Sequence, residues 1–400
     1  MDTHRCLVIV QVPTYPPAGG VALRNWQTLN LLQQLSDVAI FSIYKGPAQS
    51  SPTLTKEGIQ EFHYDISCPN RSVWEKLKNR LGRIRPDGYG YTDWLSTADG
   101  KTALKTCLNA FQPTLVIFEE LWLYPYLKVV EAYAKYTNCT IVLDNHNIEG
   151  EKEHYRAQQY RLRQIRYIEN QFSHRASQTW VCSAIDAAQL TQLYGVNLPV
   201  HVVPNGVQAE FYQSVRKLRS SHLPGQNLLF LGKFSYAPNE EAALILLRDI
   251  YPVLRQRYPA AQLWLVGRDP TDAMKDLAEP GIHITGLVED VRPYLSEARV
   301  MAVPLLQGGG TRLKLLEAFA ACCPVVSTAK GAEGLAVVDG EHLYLRNCGS
   351  DMVDAIDTLW QSPEQGQTLA NHAYQLFQKE YSWQAVQRHI CNALTVSSPA

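Results

Sequence analysis

Three consecutive glycines, Gly308, Gly309 and Gly310, separate an apolar run from a helix-period run in "VMAVPLLQGGGTRLKLLEAFAACC". A buried strand, a glycine loop and a helix N-terminus in that order form an anion site. Glycine lets the backbone approach a ligand, and the unpaired N–H groups of the first helical turn point outward. Thr311 stands at the N-cap or opening turn, and Arg312 and Lys314 follow within four residues of the glycines. Cations at a helix N-terminus oppose the helix dipole. Their placement there therefore points to a phosphate-bearing ligand.

Glu317 lies further along the same helix among Leu315, Leu316, Ala318 and Phe319. Two readings stand side by side. One is an exposed Lys314–Glu317 pair worth a few tenths of a kcal/mol. The other is a carboxylate, an acceptor-only group, that takes two hydroxyls of a ribose. Gly232-Lys233 in "NLLFLGKFSYAPNEEAA" repeats the theme of a glycine and a cation at a strand's carboxyl end. Gly19-Gly20 in "QVPTYPPAGGVALRNW" does so without the cation. His146 falls in a polar cluster, "LDNHNIEGE", after another apolar run. A lone histidine is usually structural, but one at a strand's carboxyl end is better placed to meet a ligand.

These residues need a scaffold that gathers strand ends. Short apolar runs ("CLVIVQV", "VAIFSI", "TLVIFEE", "TIVLDNH", "TWVCS", "VHVVPNG") alternate with helical patterns such as Val21 to Ser36. A second series ("NLLFLGK", "AQLWLVG", "IHITG", "VMAVPLL", "PVVST") alternates with helical patterns at Glu240 to Arg257 and Asp351 to Gln361. Continuous Val/Ile/Leu runs between helices imply parallel strands covered on both faces. The expectation is an α/β protein with two doubly wound, Rossmann-like domains, residues 1–205 and 206–380. A final helix over 381–396 is expected to return to the first domain. In such sheets ligands sit outside the carboxyl ends of the strands.

The chain has 400 residues, enough for two cores. A formal net charge of −1 supplies no global basic field, so no nucleic-acid partner is expected. Nine cysteines form no C-x-x-C pair, which suits buried thiols in a reducing, cytoplasmic setting. The N-terminal "MDTHRCLVIVQVP" reads as a first strand. There is no G-x-G-x-x-G, Walker A, H-E-x-x-H or D-x-D. No cofactor or metal is expected. Two basic segments, 71–85 and 152–175, are either solvated helix faces or surfaces for an anionic acceptor or for membrane headgroups at the inner face.

"PLLQGGGTRLKLLEAFAACCPVVSTAKGAEGL" closely resembles the signature of GT-B glycosyltransferases of the group 1, family 4 type. "PPAGGVALRNWQTLNLL", "LDNHNIE", "VCSAIDAAQL", "VVPNGV", "LGKFSYAPNEEA" and "GIHITGLVEDVRPYLSEARV" fit the same family in order. The resemblance implies two facing Rossmann-like domains and a metal-independent, retaining transfer of sugar from an NDP-sugar to a hydroxyl acceptor. It implies that Glu317 binds the nucleotide ribose, that Lys233 meets the pyrophosphate, and that Gly19 and Gly20 lie near the phosphates. Gly232, Gly308, Gly309, Gly310 and Thr311 complete the donor side, and His146 lies near the transferred sugar.

Two departures stand out. Gly309 occupies the place where many relatives carry a sugar-facing glutamate, and Pro238 the place of a common lysine. Arg312 and Lys314 are expected to take over phosphate neutralisation. The alternatives are a nucleotide-sugar 2-epimerase or sugar-phosphate synthase of the same fold, or a non-catalytic nucleotide-sugar-binding partner.

Overall fold

The structure is a computed structural model; it describes residues 5–15, 19–47, 58–67, 95–151, 159–221, 225–309 and 312–395. Gly310, Thr311, all of segment 71–85 and residues 152–158 lie outside the described residues. The chain divides into two compact units, Met1–Val203 with Gln387–Ala400, and Pro204–Val386.

The first unit holds a seven-stranded sheet in the order β3-β2-β1-β4-β5-β6-β7, with every neighbouring pair parallel. The strands are β1 (Arg5–Val10), β2 (Asp37–Tyr44), β3 (Gln60–Asp65), β4 (Leu115–Glu119), β5 (Thr140–Asn145), β6 (Gln178–Val181) and β7 (Val200–Val202). Its helices include α1 (Gly20–Gln33), α2 (Ala98–Phe111), α3 (Leu127–Thr137), α4 (Gln159–Arg175) and α5 (Ala184–Tyr194). Leu7, Ile9, Phe41, Phe118 and Phe172 are fully enclosed in its core. The central strands read as unbroken apolar runs because helices cover both faces. Strand β3, "QEFHYD", was not expected. It is a half-exposed edge strand with polar residues, so no apolar run announces it.

The second unit has six parallel strands in the order β10-β9-β8-β11-β12-β13. They are β8 (Asn227–Leu231), β9 (Gln262–Val266), β10 (Ile282–Ile284), β11 (Val300–Val303), β12 (Val325–Ser327) and β13 (Tyr344–Leu345). Helices here include α6 (Gln213–Ser221), α7 (Ala237–Ile245), α8 (Arg292–Glu297) and α9 (Leu313–Ala320). Helix α7 continues through a π turn, Leu246–Ile250, into Tyr251–Arg257. The final helix spans Trp383–Thr395. Helix α9 buries Leu315, Leu316, Ala318, Phe319 and Ala320 against the sheet, leaving its other face for Lys314 and Glu317. It stops before Cys322, whose φ of 53° is left-handed and ends the helical run.

In each sheet the strand order reverses at the centre, between β1 and β4 and between β8 and β11. That reversal opens a crevice at the carboxyl ends, and the candidate residues flank both crevices.

Candidate functional site

In the second unit the ends of β8 and β9 come together without side chains. Gly232 N–H donates to the Val266 carbonyl over 3.0 Å. A Cβ on Gly267, whose φ is +144°, would lie 1.8 Å from the Gly232 oxygen. Only glycine fits that corner. Lys233 then projects outward, half exposed, with Asp269 Oδ2 3.9 Å away. At that exposure such a pair is a weak tether.

The loop after β11 is built around Arg312. This residue occupies the N-cap position of α9 and is 7% exposed. Its guanidinium donates to the carbonyls of Gly309 (3.0 Å), Gly308 (2.9 Å) and Lys330 (3.3 Å). The buried Nε has no hydrogen-bond partner among the described residues. Burial lowers the Arg312 pKa, offset by Tyr236 and Glu333. Phosphate neutralisation is the expectation for Arg312; the side chain folds back to hold the glycine loop from inside. Gly308 has φ +103°, and a Cβ there would come within 3.0 Å of the Tyr236 hydroxyl.

Lys314 is partly buried. Its ammonium donates to Asn239 Oδ1 over 2.9 Å and lies 4.1 Å from the centre of the Phe230 ring. Asn239 also donates to the Lys233 carbonyl over 2.9 Å, so one amide joins the ends of β8, α7 and α9. Burial pushes the Lys314 ammonium down to about 7, helped by Arg312 and opposed by Glu317. Neither Arg312 nor Lys314 has a carboxylate within 4 Å among the described residues. Glu317 accepts from the Tyr212 hydroxyl over 3.1 Å. Burial raises its pKa, while Tyr212 and Lys314 pull it back. The structure thus gathers Gly232, Lys233, Gly308, Gly309, Arg312, Lys314 and Glu317 at the β8/β11 reversal. Asn239, Tyr212 and Tyr236 join them unannounced by any motif.

In the first unit Gly19 caps α1 with φ 103°. Gly20 is exposed, and a Cβ there would meet nothing within 4 Å among the described residues. The open helix end lies beside the β1/β4 reversal. His146 is 7% exposed, and its Nε2 lies 2.8 Å from Glu119 Oε2 and 3.7 Å from Asp144 Oδ2. Its Nδ1 lies 3.9 Å from Glu120 Oε1. Arg24 grips Asp144 through Nε (2.9 Å) and Nη2 (2.5 Å) and donates to the Val203 carbonyl over 3.0 Å. Gln11 donates to Glu120. Burial pushes the Glu119 carboxyl up to about 7, against the pull of Arg24. Burial also raises Asp144 and Glu120.

Glu169 fixes the loop that carries His146. It accepts from Asn145 Nδ2 (3.0 Å), the backbone N–H groups of Glu149 and Gly150 (both 2.9 Å) and the Tyr194 hydroxyl (2.7 Å). Glu119, Asp144 and His146 bring possible ligand atoms within 4.8 Å of one another. Both Asp144 oxygens already hold Arg24, so a dication there would face a guanidinium. A separate cavity of about 1010 Å³ between α2 and α3, lined by Lys105, Pro113, Lys128 and Tyr136, adjoins the residues entering β4. It lies against the amino end of that strand.

Two parallel sheets of this order, with a glycine loop, cations and a carboxylate at the second reversal, define a GT-B glycosyltransferase architecture. Residues 225–362 match the family model for glycosyl transferases group 1, and residues 55–211 that for Glycosyltransferase Family 4. The chain belongs to the group 1 and family 4 glycosyltransferases. It is 29% identical over 165 residues to the phosphatidyl-myo-inositol mannosyltransferase of Mycobacterium tuberculosis, a match covering 40% of this chain and 43% of the relative. The chain thus spans less than half the length of the curated relatives it matches. Among solved structures, Anabaena Alr3699/HepE in complex with UDP and glucose aligns at TM-score 0.68 and 16% identity, over 98% of this chain and 100% of that one. The sucrose-phosphate synthase of Thermosynechococcus elongatus aligns at TM-score 0.71 and 16% identity, over 99% and 100%. At that identity the likeness is one of fold.

Proposed function

We propose that the chain transfers a sugar from an NDP-sugar to a hydroxyl acceptor, with retention and without a metal. One observation carries the reading. Arg312, buried, and Lys314, partly buried, are cations with only neutral hydrogen-bond partners among the described residues, set beneath a glycine loop at a strand reversal. Uncompensated buried charge is costly unless a counter-charge arrives. A diphosphate is such a counter-charge, and Glu317 stands on the same helix to accept its ribose hydroxyls.

In this reading Lys314 and the outer Lys233 meet the diphosphate, while Arg312 holds the Gly308–Gly309 loop against the donor. Charge grows on the leaving diphosphate as the glycosidic bond breaks, and preorganised cations that follow this growth supply the main stabilisation. The acceptor oxygen attacks from the face the diphosphate leaves, and a phosphate oxygen takes its proton. His146, held by Glu119 and the Glu169-braced loop, orients the sugar or the acceptor. The mycobacterial relative's name supports a lipid-linked acceptor; a glycan or small-molecule hydroxyl fits the chemistry equally. No helix among the described residues is long and apolar enough to cross a membrane. Buried thiols such as Cys6, Cys107 and Cys323 support a reducing, cytoplasmic setting. A lipid-linked acceptor would add peripheral contact with headgroups at the inner face.

The test is a thermal-shift panel of UDP-, GDP- and ADP-sugars, since a ligand at 100 times its Kd adds about 2.7 kcal/mol. At least one should raise the Tm, and Lys314→Ala with Lys233→Ala should abolish that rise in a folded protein. An unaltered rise would remove the phosphate assignment. Consumption of an NDP-sugar without any acceptor would favour the epimerase.

A further inference from the structure

Tyr212 is 3% exposed, and its hydroxyl has Glu317 as its hydrogen-bond partner. A buried phenol needs an acceptor, and one that donates to a carboxylate fixes the orientation of that carboxylate. The segment that carries Tyr212 is itself braced. Tyr212 ends a 3-10 turn, Ala209–Tyr212, that precedes α6. Arg216 on α6 donates from one nitrogen to the Ala209 carbonyl (3.0 Å) and to the Ala320 carbonyl (2.7 Å) at the last turn of α9. The turn is therefore fastened to α9 twice, by Tyr212 at Glu317 and by Arg216 one turn further on.

A third brace comes from the first residue of α8. Arg292 stacks over the Phe211 ring at 3.9 Å and donates to the Phe211 carbonyl over 3.2 Å. Its other side is held by Asp290, with Nε 3.0 and 2.9 Å from the two carboxylate oxygens. Phe211 meets Tyr212 edge-on, with ring centres 5.4 Å apart and planes at 81°. A partly buried carboxylate on a helix has several rotamers, and each would aim its oxygens differently. Here one oxygen, Oε1, is tied to a phenol that three elements hold in place.

We propose that Tyr212 is a positioning residue that aims the Glu317 carboxylate, leaving Oε2 to select donors that carry a ribose diol over deoxyribose. The inference rests on the reading of Glu317 given above. A carboxylate has about four lone-pair positions. Tyr212 takes one, and a vicinal diol can fill two of the remainder only if the plane of the carboxylate is fixed. Without the phenol the carboxylate turns, one hydroxyl loses its acceptor, and the distinction between ribose and 2′-deoxyribose weakens.

The experiment is calorimetric titration of UDP, GDP and their 2′-deoxy counterparts into wild type, Tyr212→Phe, Glu317→Gln and the double variant. Wild type should prefer a ribose diphosphate about tenfold or more. Tyr212→Phe should lower that preference three- to tenfold, while affinity for the 2′-deoxy form moves less than twofold. The double variant should lose no more preference than Glu317→Gln alone, since the two residues act as one unit. If Tyr212→Phe weakens ribose and deoxyribose forms equally, or neither, Tyr212 only packs and the proposal fails while the function stands. If wild type shows no ribose preference at all, the reading of Glu317 fails and takes this proposal with it. Should Tyr212→Phe fold poorly, Arg216→Met, which loosens the same turn from α9, should produce the same selective loss in smaller measure.

Discussion

The two strand reversals carry opposite electrostatics. At β1/β4 three acids, Glu119, Asp144 and Glu169, are buried with Arg24 and His146, Glu120 is partly buried beside them, and each of the four has partners inside the unit. At β8/β11 two cations, Arg312 and Lys314, face carbonyls, an amide and a ring. The first cluster pairs its acids within the unit and braces a histidine. The second has no carboxylate within 4 Å of either cation among the described residues. A buried ion pair is poor evidence of ligand binding because it is complete as it stands, whereas cations held only by neutral groups point to an anion that is to come.

The comparison can be broken most decisively at Arg24. Arg24→Leu leaves Asp144 buried without its guanidinium partner, and should cost the protein about 3–5 kcal/mol, read as a large fall in the urea midpoint. A loss below about 1 kcal/mol would mean that Asp144 reaches water and the cluster is not closed. Lys314→Met should do the reverse. It keeps the packing on Phe230, removes an unpaired cation and should stabilise the free protein by about 1 kcal/mol. NDP affinity should fall about tenfold or more, the loss of one charge-assisted contact.

The smallest effect is the pH profile of stability, which should run in opposite directions for the two clusters. Glu119, faced by Arg24, Asp144 and His146, titrates at about 7 in the fold against 4.5 for the free group. Between those values the folded chain holds a proton that the unfolded chain has released, so this contribution is lost as pH rises through about 7. Lys314, faced by Arg312 and Glu317, titrates at about 7 against 10.5. Above about 7 the unfolded chain holds the extra proton, so this contribution grows as pH rises towards 10.5. Urea unfolding from about pH 5.5 to about 8.5 should show Glu119→Gln flattening the falling limb and Lys314→Met flattening the rising one. A profile identical in all three proteins would sink the contrast.

The second cluster was the more legible in sequence, and for a physical reason. Its loop, two cations and Glu317 lie within ten residues, because a strand, a turn and a helix end build most of an anion site locally. What stayed hidden arrived from afar. Asn239 meets Lys314 across 75 residues, and Tyr212 meets Glu317 across 105. The first cluster is tertiary throughout: Arg24 and Asp144 are 120 residues apart. There the sequence marks His146 and the polar run around it, Asp144 included, while the acids Glu119 and Glu120 stand unremarked at the end of an apolar run. The alternation of apolar runs and helices made the doubly wound sheets readable. Edge strands such as β3 escaped because an exposed face needs no apolar alternation.

Arg312 has one more consequence. In a trans peptide the carbonyl and the N–H point in opposite directions. By drawing the Gly308 oxygen inward, the guanidinium turns the N–H of Gly309 away from itself, towards the outer side of the loop. The loop thereby becomes a thin layer with a sign, negative within and positive without. Its outward face then invites an anion even though the charge that orders it never needs to touch the guest.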